Sequence, residues 1–125
     1  MSEPGLQIVF NEISAREISG LATLQQLDLL SKFRVTPHDL ENLDEERFGK
    51  LEREGRSLYR YRFNDLRIYF SVEDRKVLVH RVLHKNSFRD FLFRGGLKTH
   101  DEDEALSGAG GFWELIDEGE NSRAE

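Results

Sequence analysis

The chain has 125 residues, 18 Lys plus Arg against 24 Asp plus Glu, a net charge of −6 and no cysteine. That length fits one domain with an appendage, and the missing cysteines exclude disulfides, thiolate nucleophiles and thiolate metal sites. No apolar run approaches the roughly 20 residues that a membrane-spanning helix needs, and MSEPG is unlike a signal peptide, so the expectation is a soluble cytoplasmic protein.

In chain order, Leu6 to Phe10 (LQIVF) reads as a short strand, followed by a helical turn or two over Ile13 to Leu21. Thr23 to Phe33 predicts a firmer helix: Thr23 and Gln26 have capping-box spacing, and Leu24, Leu27, Leu30 and Phe33 form one stripe. Thr36-Pro37, with Asp39 beyond, predicts another helix start. Leu40, Leu43, Phe48 and Leu51 are expected to pack this helical hairpin onto a sheet, with Gly55 ending it.

Ser57 to Arg94 carries the central object. Leu58, Arg60 and Arg62 alternate with Tyr59, Tyr61 and Phe63, the period of two that divides a strand between two sheet faces. Asn64-Asp65 predicts a tight link, Leu66 to Val72 runs back, Glu73 to Lys76 turns again, and Val77 to Leu83 is a third strand. The elements predict an α+β fold, with an N-terminal strand and helices packed on an antiparallel sheet. One sheet face is expected apolar and the other cationic, carrying Arg60, Arg62 and Arg67.

Charge is unevenly distributed. Residues 47–98 hold 14 Lys and Arg against 6 Asp and Glu, a net of +8, whereas residues 99–125 hold nine acids and one base, a net of −8. DEDE at 101–104 and SGAGG at 107–111 have the composition of solvated chain. Phe112, Trp113, Leu115 and Ile116 are out of place there and are expected to dock. Two roles fit this segment: a solubilising extension, or an acidic segment folded back on the arginines in cis.

Outward strand arginines also cover apolar surface and discourage edge aggregation. The alternative is phosphate binding, since guanidinium groups on adjacent strands, roughly 5 Å apart, can bracket an RNA backbone. The company of His80, Arg81, His84 and Lys85 favours phosphate binding. His80 and His84, four apart in a strand, are expected on one face; with no third ligand and many cations nearby, an acid–base or RNA-contact role suits them better than a metal site. Walker, dinucleotide, GxSxG and HExxH motifs are missing.

The run GKLEREGRSLYRYRFNDLRIYFSVEDRKVLVHRVLHKNSF resembles the RelE/ParE superfamily of toxin–antitoxin toxins. Gly49-Lys50-Leu51, Leu58-Tyr59-Arg60-Tyr61-Arg62, Leu66-Arg67-Ile68-Tyr69-Phe70 and His84-Lys85 stand at the places of its strand motifs. REISGLATLQQLDLLSKF is similar to the preceding helical hairpin. The resemblance spans about residues 6–94 and divides the chain into a RelE-like toxin domain, 1–98, and an acidic, partly disordered tail, 99–125, with a short hydrophobic anchor. It implies a microbial-RNase-like fold and a type II toxin acting as a ribosome-dependent mRNA endoribonuclease that inhibits translation without metal or cofactor.

By position, the resemblance matches Arg60 and Arg62 to a basic pair, Arg67 to the arginine of the next strand and His84-Lys85 to the motif that ends the last one. Together with the residue reading, this makes Arg67, His84 and Lys85 the catalytic candidates and Arg60, Arg62, Arg81 and His80 the RNA-contact candidates. It implies as partners a cognate antitoxin, the ribosome and mRNA, with no membrane. Two departures stand out. Lys85 replaces an arginine and loses its bidentate fork, and NSFRDFLF offers Phe88, Phe91 and Phe93 where RelE-type toxins often carry a tyrosine. That keeps two further classes open: a ParE-like toxin that binds gyrase without nuclease chemistry, and a catalytically inactive toxin-fold binding module.

Overall fold

The computed structural model describes residues 5–84 and 99–122. The chain opens with β1 (Gln7–Phe10), then α1 (Glu12–Ser19), α2 (Thr23–Lys32) and α3 (Pro37–Glu41). Four strands follow: β2 (Phe48–Arg53), β3 (Arg56–Phe63), β4 (Leu66–Glu73) and β5 (Lys76–His84). Two helices close it, α4 (Thr99–Ser107) and α5 (Gly110–Asn121).

The α+β class expected from sequence holds, but the sheet is mixed. Its order is β1-β5-β4-β3-β2. β2 to β5 form an antiparallel meander, while β1 lies parallel to β5, with Ile8 opposite Val77. Helices α1 to α3 and the meander supply the long connection that a parallel pair requires. Each meander turn has two residues, and positive φ angles appear where tight links need them: 50° at Glu54 and 80° at Gly55, 53° at Asn64, 52° at Asp74 and 62° at Arg75.

The local signals fare unevenly. Thr36 caps α3, its hydroxyl accepting from the Asp39 N–H while Asp39 accepts from the Thr36 N–H, with Pro37 in the first turn. The expected cap at Thr23 is not made; Ala22 occupies that position and offers no side-chain bond. α2 packs through Leu29 and Phe33, so Leu24, Leu27 and Leu30 face outward, at 82%, 59% and 44% exposure. The leucine run places apolar residues on more than one face of α2, and of the stripe read from sequence Phe33 is core while its three leucines are not.

Phe48 and Leu51, expected on a helix, lie on β2. Pairing with β3 outweighs helical spacing there and sends Phe48 to one face and Leu51 to the other. Gly55 serves the β2–β3 turn rather than a helix end.

Both faces of the sheet are covered. Phe48, Tyr61, Phe63, Ile68, Phe70 and Val79 pack with Ile18, Leu29 and Phe33 of the N-terminal helices. Leu51, Leu58, Tyr69 and Leu83 pack on the opposite side with Leu106 of α4 and Phe112, Trp113 and Ile116 of α5. The segment that reads as solvated chain therefore forms two helices, over 99–107 and 110–121, and its anchor is core: Phe112 and Ile116 are fully buried and Trp113 is 5% exposed. No helix among the described residues is long and apolar enough to cross a membrane.

Candidate anion-binding face and its acidic cover

Strand alternation and register bring Arg60, Arg62 and Arg67 to the face that α4 and α5 cover. Arg60 pairs with Tyr69, and Arg62 with Arg67. The sequence expects an open cationic surface; the structure closes it. Arg60 is fully buried and Arg67 is 4% exposed, because acids from α4 reach down to both.

Each guanidinium is held from two sides. Arg60 Nη1 donates to the carbonyls of Glu46 and Arg47, both at 3.1 Å, and Nη2 to that of Glu45 at 2.8 Å. Its Nε and Nη2 also donate to the Asp103 carboxylate, the shortest contact 2.8 Å. Arg67 Nη1 donates to the carbonyls of Asn64 at 2.8 Å and Leu66 at 3.1 Å, while Nε and Nη2 face Glu102 at 2.8 and 3.4 Å. The carbonyls fix the planar heads, and the remaining edges meet carboxylates in the fork geometry that also suits phosphate.

Room for the Arg60–Asp103 pair comes from Gly49, the cross-strand partner of Arg60. A Cβ at Gly49 would overlap Arg60 Nη2 and Asp103 Oδ2. Burial raises the Asp103 pKa above its ordinary 3.8, outweighing the pull of Arg60. Desolvation also pushes the Tyr69 phenol well above 10, helped by Glu102 and Asp103.

The other expected site residues separate. Arg62 is half-exposed, 3.5 Å from Glu46. Arg81 donates to Glu17 of α1 at 2.8 Å, to the Leu115 carbonyl at 3.1 Å and to Glu118 at 3.4 Å, so it clamps α1, β5 and α5 together. His80 is buried at the β5 bulge opposite Tyr69 and Phe70, sharing a 2.8 Å hydrogen bond with Ser71. That bulge breaks the alternation on which the two-histidine pairing depends. His84 is exposed and pairs with Leu66, a residue of the opposite core, so the two histidines belong to different faces. Lys85, with Phe88, Phe91 and Phe93, lies outside the described residues. Among the described residues no cluster of His, Asp or Glu could hold a metal ion.

Sequence reading misses Glu17 and Gly49 as partners. For Glu102 and Asp103 the opposite charges of residues 47–98 and 99–125 do point the way: of the two roles that fit the acidic segment, the structure has the one in which it folds back on the arginines. A further pair of contacts, Arg56 with Asp117 at 2.6 Å and Glu120 at 3.1 Å, ties α5 to β3, with the Arg56 guanidinium 5.0 Å from the Trp113 ring centre.

The fold and site together define an α+β protein whose five-stranded mixed sheet carries buried arginines under acidic C-terminal helices. No protein-family model matches the chain, and no curated protein matches it either.

Proposed function

We propose that the chain is a toxin of the RelE/ParE kind, from a type II toxin–antitoxin pair, acting on mRNA at the ribosome as a metal-independent endoribonuclease. The observation that carries this reading is the pair Arg60 and Arg67. Arg60 is oriented by backbone carbonyls of residues 45–47, just before β2, and Arg67 by carbonyls of its own strand and turn, and both direct a donor edge at an anion on one sheet face. In that role the two guanidiniums hold adjacent phosphates and stabilise the charge that builds as a 2′-hydroxyl attacks the neighbouring phosphorus. The exposed Leu24, Leu27 and Leu30 stripe supports the protein-partner half of the reading, since a contiguous apolar patch favours a docked chain such as an antitoxin.

A second reading is favoured by one observation. His84 belongs to the opposite face from Arg67, and His80 is buried in a hydrogen bond with Ser71, with Gly119 of α5 packed on its backbone, so neither imidazole is an exposed group on the arginine face. A ParE-like toxin that binds gyrase, or an inactive toxin-fold binding module, needs no such group.

Induction in a bacterial host, with mapping of mRNA 5′ ends and a DNA-damage reporter, separates these readings. Codon-phased cuts are the expected result. DNA damage without cuts transfers the proposal to the gyrase-binding reading, and growth arrest with neither overturns both.

A further inference from the structure

We propose that α4 is a displaceable lid, and that a phosphate-bearing polyanion competes with Glu102 and Asp103 for the donor edges of Arg67 and Arg60. The identity of that polyanion as RNA rests on the function proposed above; the competition itself does not.

The first support is the division of labour within each guanidinium. Among the described contacts, what α4 supplies to the two arginines is the carboxylates. Without them Arg60 keeps three backbone acceptors and Arg67 keeps two, so both heads stay oriented with a fork-shaped edge exposed. Glu102 and Asp103 are consecutive, yet they serve arginines on different strands, the arrangement that successive phosphates of one strand would also meet. Gly49 provides the space beside Arg60 in which the anion sits.

The second support is the asymmetry between the two helices. Among its described side chains, α4 contributes Leu106 to the buried core and is otherwise held by ion pairs and by Ser107, whose hydroxyl faces the Glu52 N–H at 3.3 Å. α5 contributes Phe112, Trp113, Ile116 and the close-packed Gly119, together with ion pairs to Arg56 and Arg81. Exposed Gly108 separates the helices. The chain thus has an apolar anchor, α5, which carries a largely electrostatic cover, α4. Competing polyanions displace ion pairs far more readily than they displace an apolar core.

Trp113, the only tryptophan, reports on the lid, because its Nε1–H donates to the Ser107 carbonyl at 3.1 Å. The experiment titrates the full chain with inorganic polyphosphate and, separately, with a polyuridylate oligomer, following affinity and Trp113 emission at several salt concentrations. Binding to the unmodified protein is expected to shift Trp113 emission and to weaken as salt rises. In Glu102→Gln/Asp103→Asn, affinity is expected to rise about tenfold or more, the effect of deleting competing charge-assisted bonds. Leu106→Ala keeps both carboxylates and loosens the lid through its apolar hold, so a smaller gain of the same sign is expected. Circular dichroism identifies a variant that fails to fold, in which case the unmodified protein and the other variant decide.

Polyanion binding that leaves Trp113 unchanged and is no tighter in the folded variants overturns the lid. So does a failure of every form to bind either probe. If polyphosphate binds with the expected gains and polyuridylate does not bind, the lid stands and the RNA reading falls. If polyuridylate binds without a gain or a Trp113 response, the RNA reading stands and the lid falls.

Discussion

The side-chain amide of Asn11 donates to the carbonyl of Gly119 at 2.7 Å, joining residues 108 positions apart in the chain. The same amide reaches the Val79 and His80 carbonyls, both at 3.0 Å, while Asn11 Oδ1 accepts from the Ser14 N–H at the start of α1. One buried side chain therefore caps α1, holds the middle of β5 and fixes the last helix against the sheet. Satisfying so many backbone groups at one point is consistent with a tight packing of α5 on β5.

Gly119 is expected to tolerate no side chain. An added Cβ would overlap the His80 carbonyl oxygen and come within 2.8 Å of its carbon, and backbone cannot swing aside as a flexible side chain can. Gly119→Ala should cost about 1–3 kcal/mol, the range for overpacking. Gly108→Ala is the matched control: its nearest neighbour would be the Ala105 carbonyl at 3.8 Å, so it should be neutral or stabilise by about 0.4–1 kcal/mol. Urea denaturation of the two variants checks this, and equal midpoints would contradict the packing.

Much of the meander was legible because its signals are local. Alternation from Leu58 to Phe63 and the polar links at Asn64-Asp65 and Asp74-Arg75 define strands and turns without help from distant residues. The fate of the arginines was not legible in that way. Period two correctly places Arg60 and Arg67 on one face, but whether a face meets water depends on what folds over it, and that is decided more than 30 residues later in α4. The DEDE run looks solvated because isolated carboxylates avoid burial; Glu102 and Asp103 are buried because each has a guanidinium waiting. Leu51 misled for the converse reason, since its apolar neighbours at helical spacing outweighed a strand pattern interrupted by Gly49.

Arg60 and Arg62, two residues apart, should behave differently when truncated. Arg60→Ala strands the buried Asp103 carboxylate and three carbonyls, at a cost of about 3–5 kcal/mol. Arg62→Ala, at a half-exposed ion pair, should stay within about 0.5 kcal/mol. Replacing both partners, as Arg60→Met with Asp103→Leu, should recover much of the loss, because apolar substitutes remove the desolvation penalty together with the attraction. A double-mutant cycle by chemical denaturation measures the coupling; additive losses would mean that the pair does not act as a unit.

Gly49→Ala should disturb the same pair by a different route. Its Cβ would overlap Arg60 Nη2 and Asp103 Oδ2, the ends of two side chains rather than backbone. The expected outcome is a smaller stability loss than for Arg60→Ala, with Trp113 emission shifted because α4 is pushed outward. Unchanged emission in a folded Gly49→Ala protein would show that the pair adjusts without moving the helix.

Two aspartates should leave opposite marks on the pH dependence of stability. Asp103 has its pKa raised above 3.8 by burial, despite Arg60, so the folded state binds the Asp103 proton more tightly than the unfolded chain does. Its contribution is fully present below the unfolded value and is lost as pH rises through the folded one. Asp44 is the reverse case. Some desolvation raises its pKa, but the backbone N–H groups of Phe48 and Arg47, donating to Oδ1 at 2.9 and 2.7 Å, prevail and hold it below 3.8. Its contribution is present above the unfolded value and disappears as pH falls through the folded one. Urea midpoints for the unmodified protein, Asp103→Asn and Asp44→Asn, measured between about pH 3 and 6, separate the two. Relative to Asp103→Asn, the unmodified protein should lose stability as pH rises across this window; relative to Asp44→Asn, it should lose stability as pH falls towards the acid end. A stability difference from Asp103→Asn that grows with pH would mean that Arg60, and not burial, dominates the Asp103 carboxyl.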